Sequence, residues 1–278
     1  MPLRLFGGAH YLVLAGQAEP YWLDGDPWPS FRALLESHAD WLRTFVTEQS
    51  VQTNEVRRSW ALLPGILAAA PGETVDVVEL GPSAGLNLVF DRYGYRYVHG
   101  AWGRDDARLV LSGREHGFVP SRLLERRLRV RRRVGIDRDP VDVTTEHGAR
   151  LLEAFVWPDE PERLERVRLA IDQLCEDPPL LVRGDFVDTI GDIVERGTPT
   201  VVFDSNATEY LDDDRFALLT RGISEAAAGT PLAWVSVELP RQEPVKSYVL
   251  EAQCWPGGAR RRLANVHYHG AWLDWTGG

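Results

Sequence analysis

With 278 residues, 44% of them apolar and 26% charged, the chain is long enough for one large α/β domain and too balanced to be largely disordered. A formal net charge of −10 argues against a protein that coats nucleic acid or an anionic membrane. Two cysteines, Cys175 and Cys254, form neither a zinc nor a disulfide framework, and no run approaches the roughly 18 apolar residues of a membrane span. The expectation is a soluble, cytoplasmic protein whose partner is a small molecule rather than nucleic acid or membrane, with the oligomeric state left open.

The first 70 residues read as a helical cap. Phe31, Leu34, Leu35, His38, Trp41, Leu42, Phe45 and Val46 recur at three-and-four spacing after Pro29-Ser30, and a second helical stretch around Val56–Leu63 is broken by Pro64-Gly65. The pattern then changes. Val75–Leu80 is a short apolar run between Pro71-Gly72 and Gly81-Pro82, hence a buried strand, and further strands are expected at 134–136, 180–182, 200–203 and 232–237. Helical patterns fall between several of them, one opened by Pro161 and one by Asp212-Asp213-Asp214, where acids suit the helix dipole. Strands alternating with helices predict a mainly parallel sheet covered on both faces. Tyr248–Trp255 and Leu263–Trp275 around a Pro-Gly-Gly turn predict an antiparallel hairpin at the sheet edge, and Tyr95, Tyr97 and Leu109-Val110-Leu111 mark a β-rich insertion around 95–130. The organisation expected is a cap over 1–70 packed on a Rossmann-like domain over 71–278.

The most informative stretch is VDVVELGPSAGLNLVF, read as strand, tight turn and helix. Gly81, Ser83 and Gly85 let the backbone turn sharply and approach a ligand, while a following helix would offer free N–H groups. A dinucleotide fingerprint begun at Gly81 fails at Ser83 and Leu86, and a phosphate-binding P-loop fails at Leu86-Asn87. Two chemical readings remain. As G-x-S-x-G the turn is a nucleophile elbow, and Ser83, Asp204 and His267 follow the chain order of an α/β-hydrolase-type serine esterase. As E-x-G-x-x-x-G, with Glu79 closing the strand and Ser83 in place of the middle glycine, it resembles the first motif of class I S-adenosylmethionine-dependent methyltransferases. A protein that keeps such a fold and only binds is the third reading.

The methyltransferase resemblance extends along the chain. RVGID at 133–137 resembles that family's second strand, although Asp137 lies farther from Glu79 than usual and the insertion must absorb the surplus. LLVRGDF at 180–186 resembles the third-strand motif, and VVFDSNATEY at 201–210 the fourth. The resemblance implies S-adenosylmethionine as cofactor, with Glu79, Gly81, Ser83 and Gly85 on its methionine portion, Asp137 on the ribose and Asp185 on the adenine. It implies Asp204 or Glu209 as a base where the acceptor is a hydroxyl, with His267 a weaker candidate and Asn206 near the acceptor. The [DN]-P-P-[YF] motif of amino methyltransferases is absent, since the corresponding residues are Asp204-Ser205-Asn206-Ala207. More closely still, QTNEVRR at 52–58, ELGPSAGLNL at 79–88 and GIDRDPVD at 135–142 resemble an uncharacterised bacterial family, domain of unknown function 2332, nearly end to end.

The polar cluster Gln52, Thr53, Asn54 and Glu55 precedes the sheet, so Asn54, Glu55 and Arg58 are candidates for substrate contact, against the alternative of an exposed helix start. His267 and His269 would face one side of a strand, too few for a metal site. Arg126, Arg127, Arg129 and Arg131–Arg133 form a basic run that either cradles an acidic substrate or is a solvated face.

Overall fold

Three helices open the chain: α1 (Pro2–Leu14), α2 (Pro27–Ser37) and α3 (Ala39–Glu48). The computed structural model describes residues 2–23, 25–241 and 247–277. The single helix expected across 31–46 is therefore two. Asp26 accepts from the Trp28 N–H at 3.1 Å and caps α2 ahead of Pro29-Ser30, while at His38 the backbone leaves the helix (φ −118°, ψ 23°). The Ser37 hydroxyl donates to the Ala33 carbonyl at 2.8 Å just before that break, a local bond that competes with helix continuation.

Next come α4 (Arg58–Ala69) and β1 (Thr74–Leu80), then an excursion of β2 (Gly94–Tyr97), β3 (Gly100–Gly103), β4 (Val110–Ser112), β5 (Arg114–Gly117) and the single-turn α5 (Ser121–Leu124). The chain continues through β6 (Arg129–Asp137), α6 (Glu146–Ala154), α7 (Pro161–Cys175), β7 (Leu180–Arg183), α8 (Phe186–Ile193), β8 (Thr200–Ser205), α9 (Asp213–Ala226) and β9 (Leu232–Glu238). It ends in β10 (Tyr248–Trp255), β11 (Arg260–Val266) and β12 (Trp272–Trp275). No described helix is long and apolar enough to cross a membrane.

These elements group into two compact units, Met1–Glu55 with Val141–Cys175, and Val56–Pro140 with Glu176–Gly278. The grouping differs from a cut at residue 70, because α4 goes with the sheet and α6 and α7 go with the N-terminal helices. In the helical unit, α1 packs closely on α3 and α6. A Cβ at Gly7 would lie 2.8 Å from the Phe155 ring and one at Gly8 2.9 Å from Leu42. Ala9, Leu12, Phe31, Leu34 and Leu42 form its buried centre.

In the second unit a nine-stranded sheet has the order β5-β12-β11-β10-β9-β8-β1-β6-β7. β7, β6, β1, β8 and β9 run parallel, and β10, β11 and β12 continue antiparallel. β1 and β8 are buried along almost their whole length, as apolar runs in a doubly covered parallel sheet should be. The α/β class, the mainly parallel sheet and the antiparallel C-terminal strands are those the sequence predicts. The hairpin differs in detail: its second arm is split by a turn at 267–271, and β5 adds a further edge strand beyond β12. The excursion contributes a separate three-stranded sheet, β3-β2-β4.

α4 runs through Pro64-Gly65 where the sequence predicts its end. Pro64 has no N–H for the Trp60 carbonyl one turn back, and the Tyr97 hydroxyl takes that place, donating to Trp60 O at 2.6 Å. The Trp60 and Tyr97 rings stack at 5.2 Å. Gly65 is needed for close packing, since a Cβ there would lie 2.8 Å from Leu250 Cδ1. Tyr97→Phe is expected to cost about 1–2 kcal/mol by orphaning that buried carbonyl, read as a shift of the urea midpoint at unchanged slope.

The arginine run of β6 is a structural feature. Arg131 and Arg132 both bond the buried Asp76 carboxylate, at 2.7 and 3.0 Å, Arg133 pairs with Asp91 at 2.6 Å, and Arg131 also pairs with Glu195. Arg127, Arg129 and Arg131 are exposed, so the solvated-face reading holds in part, while Arg131, Arg132 and Arg133 are also tied into ion pairs.

Candidate functional site

In the parallel part of the sheet, β1 lies between β6 and β8, the point where strand order reverses and where open α/β sheets form their ligand crevice at the carboxyl ends. Residues leaving β1 there have unusual backbones: Gly81 (φ +68°), Ser83 (φ +55°) and Gly85 (φ +81°). Gly81 is further required by approach, because a Cβ would lie 2.9 Å from that of Ala207. The α-helix expected after this turn does not form. Pro82 to Val89 make successive four-residue turns, with Gly85 N–H donating to Pro82 O and Leu88 N–H to Gly85 O, before a 3-10 turn at Phe90–Arg92. A left-handed residue at Gly85 interrupts any helical course. No helix start is presented there, and Ser83 N–H donates to Asp137 Oδ2 at 2.8 Å.

Asp137 stands at the end of β6, half-buried. Its second oxygen accepts from Asp139 N–H at 2.9 Å, and its carbonyl accepts from Gly184 N–H, so one carboxylate ties the glycine turn to the loop after β6. Glu79, one residue from the end of β1, is buried. Burial pushes its carboxyl up to about 8, the nearby Arg58 charge opposes this, and Asp137 and Asp204 add to it. Asn87 hydrogen-bonds the Glu79 side chain and is itself held by the Ser59 hydroxyl at 2.6 Å. Among the described residues no donor reaches Glu79 Oε2. Arg58 is also buried, with Nε donating to the Tyr268 carbonyl at 3.0 Å.

Asp204, one residue from the end of β8, is fully buried. Trp234 Nε1 donates to its Oδ1 at 2.6 Å, and its Oδ2 meets no donor among the described residues. The acid–base contact that a Ser83–His267–Asp204 triad requires is therefore not formed, and the esterase reading loses its relay. Beside Asp204 lies a residue that the sequence reading missed, Glu238 at the end of β9. Its Oε1 accepts from Ala207 N–H at 2.7 Å and Thr208 N–H at 2.9 Å, so it holds the loop that leaves β8. The one signal for it was a charged residue closing the otherwise apolar strand LAWVSVE.

That loop carries Asn206, in the left-handed region (φ +55°), and Glu209, whose exposed carboxylate accepts from the Tyr248 hydroxyl at 3.1 Å. Burial, and then the Glu209 charge, raise the Tyr248 phenol above its usual range. His267 lies on the turn after β11, where Nδ1 accepts from His269 N–H at 3.1 Å. A ring accepting at Nδ1 carries its proton on Nε2 and so donates there. Asp185 caps α8 by accepting from Val187 N–H at 3.0 Å and pairs with Arg215 at 2.7 Å and Arg138 at 2.5 Å. Burial works against its charge, but these partners hold it below the usual carboxylate range.

The helical unit holds Asn54 and Glu55. Both are buried, and Glu55 is an ion-pair partner of Arg163 at 2.9 Å, with Arg166 at 3.9 Å. It is not an exposed helix start. Among the described residues no three His, Cys, Asp or Glu side chains converge as a metal site.

The chain is similar to solved structures, among them the following three. One is described as the DhpI-SAM-HEP complex (14% identity, 84% of this chain and 82% of that one, TM-score 0.32). A second is the mitomycin 7-O-methyltransferase MmcR (14%, 88% and 53%, TM-score 0.32). The third is the CcbJ methyltransferase from Streptomyces caelestis (16%, 78% and 74%, TM-score 0.30). No curated protein matches by sequence. Residues 1–275 match the family model described as "Uncharacterized protein conserved in bacteria (DUF2332)", and the chain belongs to that family.

Proposed function

We propose that the crevice at the ends of β1, β6 and β8 binds S-adenosylmethionine and that the protein is a methyltransferase acting on a small molecule. The observation that carries this reading is Glu79, a buried carboxylate at the switch point with one oxygen lacking a donor. A cationic ligand group is the natural partner for such an atom, since it restores the charged form that burial alone disfavours. Asp137 suits a neutral diol. Each of its oxygens already accepts one backbone N–H and keeps a further lone pair, on a side that remains partly exposed. Gly81, Ser83 and Gly85 would bring backbone close to the ligand. Asp185 is committed to its cap and two arginines, and its geometry supports shaping the adenine side over bonding the base.

The cofactor would supply a methyl group already made electrophilic by its sulfonium. What remains for the chain is to orient a nucleophile and exclude water. Glu209, with Tyr248 donating to it, is the exposed carboxylate placed to take a hydroxyl proton from an acceptor. Asp204 is too enclosed by Trp234 and Glu238 to reach an acceptor and would act through the loop it adjoins. His267 would donate from Nε2, and Asn206 and Arg58 would contact the acceptor. A fold that binds without turnover is the remaining alternative.

Calorimetric titration of S-adenosylmethionine and S-adenosylhomocysteine into the wild type and Asp137→Ala tests the reading. Micromolar binding to the wild type, weakened at least about tenfold in the variant by loss of charged hydrogen bonds, supports it. No heat and no thermal shift with either ligand at millimolar concentration would sink it.

A further inference from the structure

From the contacts at the ends of β8 and β9, we infer that Asp204 and Glu238 hold a single proton between them and that Glu238, so protonated, is the positioning residue for the loop 206–210. The inference concerns the loop itself and stands whether or not the crevice transfers a methyl group; only its consequence for Asn206 and Glu209 as ligand contacts rests on that reading.

The register fixes the pair. β8 and β9 are parallel with Asp204 opposite Ser236, so Trp234, Ser236 and Glu238 share one face and flank Asp204. Each carboxyl has one satisfied oxygen. Asp204 Oδ1 takes the Trp234 indole N–H, and Glu238 Oε1 takes two successive backbone N–H groups. Asp204 Oδ2 and Glu238 Oε2 are buried with no donor among the described residues, and the two side chains lie within hydrogen-bonding reach of each other. Two ionised carboxylates in that position would put two charges in a dry environment with both inner oxygens unsatisfied. One proton resolves both faults, because it turns two orphaned acceptors into a donor and an acceptor. Burial first, and then each other's presence, push Glu238 in this direction.

The surrounding charges leave the proton in place. From β11, Arg260 lies over the Trp234 ring at 5.0 Å and donates to Ser236 Oγ, but its charge is paired with Glu251 at 2.7 Å. From the chain after β9, Arg241 donates to the Thr208 and Leu211 carbonyls and pairs with Asp213. The Thr208 hydroxyl is the near neutral group. On the other sides stand Glu79, Glu209, Tyr210, Tyr248 and Arg58, of which only Arg58 is cationic. Loss of the proton at alkaline pH would set two negative charges side by side and drive Glu238 off the Ala207 and Thr208 N–H groups. The loop bearing Asn206 and Glu209 would then be released.

The test uses the whole chain with Glu238→Gln and Glu238→Ala. Glutamine keeps an acceptor for the two N–H groups and brings its own donor for Asp204, so it imitates the protonated acid. Infrared difference spectra at neutral pH should show one protonated carboxyl band in the wild type that Glu238→Gln lacks. Amide exchange at Ala207 and Thr208, corrected for intrinsic rates, should be protected alike in the wild type and Glu238→Gln at neutral pH. Only the wild type should lose that protection at alkaline pH. Glu238→Ala should lose about tenfold or more, the scale of one or two buried hydrogen bonds. No lost band in Glu238→Gln overturns the shared proton, and unchanged protection in Glu238→Ala overturns the positioning. Should Glu238→Ala fail to fold, the band and the pH dependence in Glu238→Gln decide both points. Titration of S-adenosylmethionine into the same variants is a separate readout, so failure of the cofactor reading leaves these results interpretable.

Discussion

Glu55→Ala is expected to destabilise the helical unit by about 3–5 kcal/mol, because it leaves the guanidinium of Arg163 buried without its inner counter-ion. Both side chains are nearly inaccessible, at 4% and 7% exposure, and Arg163's remaining partner, Glu160, is 43% exposed. Urea unfolding followed by tryptophan fluorescence measures the loss, since Trp22, Trp28, Trp41 and Trp157 all lie in that unit. A Glu55→Gln/Arg163→Met double variant should recover most of it, as buried ion pairs replaced by well-packed neutral groups often do. Lost turnover in Glu55→Gln with unfolding unmoved would instead make Glu55 a substrate ligand.

Glu79→Gln is expected to separate stability from binding. The wild-type carboxyl titrates near 8 in the folded chain against an ordinary value of 4.5, so across that window the folded state binds the proton more tightly than the unfolded state. The stability Glu79 contributes is therefore fully present below about 4.5 and lost as pH rises through 8, at up to about 1.4 kcal/mol per pH unit. The amide cannot titrate, so the variant should lack this component of the decline, read as the difference between two stability–pH curves. The same change removes the negative charge proposed to meet a cationic ligand, and S-adenosylmethionine affinity should fall at least about tenfold. An unchanged slope would show that Glu79 is ionised throughout. Unchanged affinity would remove the observation on which the cofactor reading rests.

What the sequence made legible follows from how local each signal is. The strand at Val75–Leu80 and those at 200–205 and 232–238 are short apolar runs between turn residues, and α7 and α9 begin at a proline and at a capping aspartate. Such signals lie within a few residues of what they specify. The misreadings are non-local. Pro64 ends a helix by every local rule, and the bond that rescues it comes from Tyr97, a strand away. The helix expected after Gly81 is prevented by the left-handed backbone at Gly85, and the freed Ser83 N–H finds Asp137 on another strand. For the site, the order of acids located the ends of β1, β6 and β8, because side chains there converge wherever the strand order reverses. Sequence order gave no means of seeing that Asp185 answers to arginines or that Glu238 holds the loop after β8. Those facts depend on which charges the packing brings together.

The outermost strand of the large sheet has a consequence for how the chain is made. β5 belongs to the early excursion, yet its partner is β12, with Arg114 opposite Trp272. During synthesis, residues 114–117 emerge long before anything exists to pair with them, and their backbone groups stay an open template until β10, β11 and β12 have been laid down in turn. The sheet is thus extended at that edge by a strand that waits for most of the polypeptide. A nascent chain stalled ahead of β12 would carry that unpaired edge as its point of vulnerability to aggregation.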